Sequence, residues 1–167
     1  MNFQFYAEKL KASGSFKKFT KQNKDAFLCS CFFVLDKEEG KDEQHFDFYI
    51  PSSNKMFSFS IEKDAEKKEI EIKELQIPAE ISISCDFNFE EIEEVIKRKM
   101  EKEKISQKIQ KILLSLQNVD GKDLLIGTVF ISSFGLINLK IDVKNNEIID
   151  FKKRTFFDMM NIFKKDR

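Results

Sequence analysis

Short runs in which apolar and polar side chains alternate constrain this chain more than any other feature. Phe46, Phe48 and Ile50 alternate with Asp47 and Tyr49 before Pro51. Phe57, Phe59 and Ile61 share one face after the Ser52-Ser53-Asn54 turn, Ile70 and Ile72 alternate with Glu69, Glu71 and Lys73, and residues 81–85 and 136–143 repeat the pattern. A period of two sends successive side chains to opposite faces of a strand, so each run predicts a half-buried strand. Residues 26–35 are nearly continuously apolar and predict a strand covered on both faces; residues 124–132 predict a further strand. Ser133-Phe134-Gly135 and Asn145-Asn146 supply turns, the second leading into a strand over 147–152.

Helical spacing brackets the strands. Phe3, Tyr6, Leu10, Phe16 and Phe19 recur at three to six residues, interrupted by Ser13-Gly14-Ser15, which predicts one broken helix or two short ones over 3–21. Asn88 is an N-cap with Glu91 three residues on, and acidic side chains fill the first turn, where the helix dipole favours them. Ile92, Val95, Ile96, Ile105, Ile109, Ile112, Leu113 and Leu116 then predict one long helix over 88–118, ending near Asp120-Gly121. Its charged middle, 97–104, relieved only by Met100, is expected to project past the core or cross its edge. A short helix over 155–163 closes the chain.

These elements predict an α+β fold in a single domain, residues 1–167: antiparallel sheet packed on the long helix. With 167 residues, 41% of them apolar, the chain can bury a proper core. The element order also repeats. A helix followed by a three-strand meander occupies 1–61 and again 89–167, with 62–88 as the linker, so the chain reads as two tandem units. In that order of elements, and in the strand, Asn-Asn turn and strand over 136–151, it resembles the PepSY and cystatin-like families. The resemblance implies a helix lying across a short meander, often doubled, and a role as a binder or peptidase regulator, commonly secreted or membrane-tethered.

The residues themselves carry little chemistry. One histidine, His45, sits at a loop-to-strand entry, and phosphate-loop, dinucleotide, nucleophile-elbow and zinc-protease motifs are absent. No catalytic residue, cofactor or metal ligand is expected. Cys29 and Cys31 alternate in an apolar run and are expected on one strand face, with His45 able to reach either across the sheet; Cys85 lies in another alternating run. C-x-C is not zinc spacing, and three cysteines make no complete disulfide framework, so buried reduced thiols and a reducing, cytoplasmic location are expected. No run reaches the ~18 apolar residues of a membrane span, and no basic-then-apolar leader opens the chain.

Charge is the more informative feature. The 29 basic and 29 acidic side chains cancel, but residues 1–24 carry a net +5, residues 25–104 a net −9 and residues 151–167 a net +4. If both basic ends meet at the sheet's periphery they form one patch, with Lys17, Lys18, Lys152, Lys153, Arg154, Phe156, Phe157, Met160 and Phe163 as its partner-binding residues. Lys outnumbers Arg 26 to 3, which weighs against bidentate reading of nucleic acid. The expected function is therefore a non-catalytic intracellular binding or accessory protein acting through protein contacts, including contact with a second copy. Two alternatives stand beside it: a small-molecule or enzymatic pocket between helix and sheet, lined by Phe and Cys, and association with RNA or the ribosome through the basic ends.

Overall fold

Asn2 opens the first helix by accepting the Phe5 N–H at 3.0 Å, and Ser13 opens the second by accepting the Phe16 N–H at 3.2 Å. Two helices result, α1 (Phe3–Ala12) and α2 (Gly14–Gln22), broken where the Ser-Gly-Ser run predicted. This computed structural model describes residues 2–63, 65–71, 77–82 and 86–155. Eight strands follow in two meanders: β1 (Phe27–Asp36), β2 (Glu43–Ile50), β3 (Lys55–Ser60) and β4 (Glu66–Ile70), then β5 (Ile109–Val119), β6 (Lys122–Ile131), β7 (Gly135–Asp142) and β8 (Glu147–Thr155). Between the meanders stands α3 (Phe89–Lys102), capped by Asn88.

All eight strands form one antiparallel sheet in the order β4-β3-β2-β1-β5-β6-β7-β8. The first strands of the two meanders, β1 and β5, pair antiparallel at its centre, from Ser30 opposite Gln117 to Asp36 opposite Lys111. The edges are unattractive to further strands: β4 is five residues long with Lys67 and Lys68, and β8 carries Lys152, Lys153 and Arg154.

The helices cover one face. Phe3 of α1 stacks on Phe46 at 5.7 Å and meets Phe33 edge-on at 6.3 Å. Phe19 of α2 packs on Phe57 and Phe59, and Phe89 of α3 lies 4.9 Å from Phe33. Phenylalanine thus joins each helix to the sheet, each fully buried ring contributing roughly 1.5–3 kcal/mol over its exposed state.

The long helix does not exist as predicted. It ends at Lys102, because Lys104 adopts a left-handed φ of 57° and the Ile105 N–H returns to the Met100 carbonyl while the Lys104 N–H returns to Glu101. That is a Schellman stop made without glycine. Residues 97–102 are the last turns of α3, and Met100 there is buried. Ile112, Leu114 and Leu116 are the core face of β5, period two rather than 3.6. Asp120-Gly121, with φ of 52° and 79°, is the tight turn of the β5–β6 hairpin.

Other expectations need smaller corrections. Each meander has four strands, not three. Among the described residues strand β1 is covered on one face only, and Phe32 on the other is 36% exposed. Ile81 and Ser82 lie outside any strand; Ile81 is buried and its N–H reaches the Leu28 carbonyl at 2.9 Å. Residues 83–85, Ile72 and the predicted helix beyond Thr155 lie outside the described residues, and Thr155 itself pairs with Gly135 as the end of β8.

The central seam is locked by Asp36. Its carboxylate accepts the N–H groups of Glu39 (2.9 Å) and Glu38 (3.0 Å) and pairs with Lys111 Nζ at 2.9 Å across β1 and β5. The Glu39 N–H foremost, then the Lys111 ammonium, hold its pKa down at about 2. A carboxyl lowered on folding stabilises the protein above its unfolded value near 3.8, and that contribution is lost as pH falls through about 2. We expect Asp36→Asn to lower the thermal midpoint at neutral pH and to flatten the fall in midpoint between pH 4 and pH 2. An unchanged acid limb would show that the seam does not use this charge.

Candidate functional site: the open face of the sheet

Antiparallel sheets with helices on one side ordinarily present polar side chains on the other. Here the face that no described helix covers has an apolar centre. Following cross-strand partners, Phe32 lies opposite Ser115, Ser115 opposite Ile126, and Ile126 opposite Lys140. The next row runs Val34, Leu113, Thr128, Asn138 and Lys152, and the third runs Lys111, Phe130, Leu136 and Arg154. Phe32, Val34, Leu113, Ile126, Phe130 and Leu136 therefore share one face as a continuous strip over β1, β5, β6 and β7. None of the six belongs to the buried core. A shallow groove of about 290 Å3 is lined by Phe32, Leu113 and Ile126 of this strip together with Ser115, Thr128 and Asn138.

Charge brackets the strip unevenly. On the β7–β8 side stand Lys140, Lys152 and Arg154, with Asp150 placed 3.4 Å from Lys152 Nζ. On the β2 side stand Glu43, His45 and Asp47. The Asp47 carboxylate is held by the Ser30 hydroxyl at 2.6 Å.

Of the predicted partner-binding residues, Lys152 and Arg154 fall on the rim of this face. Lys153 points to the helix side and donates to Gln107 Oε1 at 3.4 Å. Lys17 and Lys18 are exposed on α2, whose Phe19 packs over β3, six strands from β8. At about 4.8 Å per strand the two basic segments are ~30 Å apart, so the expected single patch does not form from them. Phe156, Phe157, Met160 and Phe163 lie outside the described residues.

The sulfur and imidazole groups are not brought together for catalysis. A bulge between Leu28 and Ser30 turns Cys29 onto the open face while Cys31 stays in the core, so the two thiols do not share a face as expected. Cys29 Sγ contacts the Asp47 carbonyl at 3.3 Å and Met56 Sδ at 3.6 Å. Burial, then the Asp47 charge, push its thiol up to about 12, far from a thiolate nucleophile at neutral pH. His45 is paired in register with Phe32, and its Nε2 is 3.5 Å from Glu43 Oε2. Among the described residues, no three His, Cys, Asp or Glu side chains converge to hold a metal ion, and no helix is long and apolar enough to cross a membrane.

The strip escaped sequence analysis although a signal for it existed. Residues 124–131 read Leu-Leu-Ile-Gly-Thr-Val-Phe-Ile. In an antiparallel sheet a run without polar alternation announces apolar side chains on both faces.

No protein-family model matches the chain, and no curated protein matches it. Among solved structures, the crystal structure of a candidate lipoprotein from Clostridium difficile 630 is similar, with a TM-score of 0.57 and 12% identity over 84% of this chain and 90% of that one. The likeness is one of fold. Neither the PepSY nor the cystatin-like family is shown by it.

Proposed function

We propose that this chain is a non-catalytic intracellular binding or accessory protein that receives a protein partner on the open face of its sheet. The observation that carries this is the continuous strip of Phe32, Val34, Leu113, Ile126, Phe130 and Leu136, which no described helix covers and which stands apart from the buried core cluster. Apolar patches rimmed by polar residues mark interaction surfaces. The rim selects the partner: Lys140, Lys152 and Arg154 suit a segment whose apolar side chains are followed by acidic ones over β8. Two buried cysteines outside any disulfide, Cys29 and Cys31, support a reducing compartment. A description as two helix-plus-meander units is supported by the element order and by the antiparallel pairing of β1 with β5, which relates the two meanders about the sheet's centre.

Affinity capture from the native organism tests the reading with three baits: the unmodified protein, Phe32→Asp/Ile126→Asp and Lys17→Glu/Lys18→Glu. The expected outcome is a protein held by the first and third baits and reduced at least about tenfold on the second. Equal capture by all three baits would overturn the open-face reading. Recovery of RNA, lost steeply as salt rises and lost with the lysine variant, would replace it with the nucleic-acid alternative.

A further inference from the structure

On the other side of the sheet, α1 and α2 roof a cavity of about 210 Å3. Its walls are Phe3, Ala7 and Leu10 of α1, Phe16 of α2, and Phe46 and Phe48 of β2. Aromatic contacts fix the walls: Phe16 lies 4.9 Å from Phe48, and Phe3 stacks on Phe46. Neither His45 nor a cysteine lines it, so a catalytic use of this pocket has no support. Polar groups enter only at Lys11, Thr20 and Glu80. Thr20 is already engaged, its hydroxyl donating to the Lys17 carbonyl, which leaves one cation and one anion to greet a ligand's polar end.

Interiors are packed to crystal density, and an apolar void of about 150 Å3 is known to stay dry and accept benzene. A cavity of this size and lining therefore favours an apolar ligand, on the order of eight to ten carbon atoms. The charge around it selects the polar end. Residues 1–24 hold six lysines against one glutamate. Among the described residues, none of Lys9, Lys11, Lys17, Lys18, Lys21 and Lys24 takes part in an ion pair. The roof of the cavity is thus a surface of uncompensated positive charge, which attracts anions. Glu80, the one acidic side chain among the described lining residues, works against an anion.

The geometry points to this cavity as the site of a single-chain carboxylate of about eight to ten carbons, its tail among the phenylalanines and its carboxylate at Lys11. Decanoate, decanol and hexanoate are the probes, added to the full chain below their aggregation concentrations. Decanoate is expected to raise the thermal midpoint saturably and to shift the NMR signals of the Ala7 methyl and the Phe16 and Phe48 rings. Hexanoate should bind more weakly by about fourfold per methylene removed. Lys11→Gln should weaken decanoate about threefold to fivefold, and Glu80→Gln should tighten it, while decanol responds to neither. Ala7→Leu, which fills the cavity, should abolish binding. Phe32→Asp should leave binding intact, which separates this site from the open face. Absence of any decanoate response at about 1 mM would overturn the proposal. So would equal binding of decanol and decanoate with no effect of Lys11→Gln, a surface change that leaves folding unaltered.

Discussion

Phe33→Ala is expected to destabilise the protein by about 3–5 kcal/mol, the range for deleting a fully buried aromatic ring. Phe33 has no solvent exposure. Its ring meets Phe3 of α1, Phe46 of β2, Phe87 in the segment before α3 and Phe89 of α3, with centroids 4.9–6.3 Å apart. Three separate stretches of chain, α1, β2 and residues 87–89, thus depend on one side chain, so the hole cannot close by moving a single element. For a chain of this size each kcal/mol lowers the midpoint by roughly 2–4 °C, which puts the fall on the order of 10 °C. Urea unfolding of the variant measures it directly. A loss under about 1 kcal/mol would mean that the phenylalanine cluster repacks freely and that helix and sheet are not joined through Phe33.

Gly127→Val is expected to be as damaging for the opposite reason. Gly127 lies between Leu114 and Leu139 on the core face of β6, and a Cβ there would stand 2.6 Å from Leu114 Cδ2, 2.8 Å from the Leu113 carbonyl oxygen and 3.3 Å from Leu139 Cδ1. A leucine tip can rotate away, but the Leu113 carbonyl belongs to the β5–β6 ladder and cannot yield without parting the strands. The expected cost is about 3 kcal/mol or more. Ile126→Val, one residue away on the open face, should cost no more than about 1.5 kcal/mol. Hydrogen exchange supplies the second readout: the β5–β6 amides should lose protection in Gly127→Val and keep it in Ile126→Val. Equal stability of the two variants would show that the sheet tolerates a side chain at position 127.

Local signals were sufficient where one rule acted alone. Ser13-Gly14-Ser15 broke the opening helix because Ser13 caps the next one, and Phe46, Phe48 and Ile50 faced the core because alternation permits nothing else once one face is buried. They failed where two periods fitted the same residues. Ile109, Ile112, Leu113 and Leu116 satisfy helical spacing, while Ile112, Leu114 and Leu116 satisfy a strand. A glycine would have marked the end of α3; Lys104 took the left-handed position instead, and Asp120-Gly121, a strong hairpin signal, was mistaken for a helix end. The same failure of parity occurred at Cys29, where one bulged residue reversed the face of a thiol.

The candidate sites divide along the same line. Charge distribution is a property of composition along the chain, so the basic character of residues 1–24 and 151–154 was legible without coordinates. Their separation was not, because it depends on β4 and β8 being opposite edges of one sheet. By itself the sequence determined an α+β chain with a phenylalanine-rich core and half-buried strands, since periodicity and burial act over a few residues. Only the tertiary structure decided that β1 pairs with β5, and with it which faces the helices cover. Strand pairing is a contest among distant segments with similar local patterns. Its outcome left Phe32, Leu113, Ile126, Phe130 and Leu136 on the face that no described helix covers.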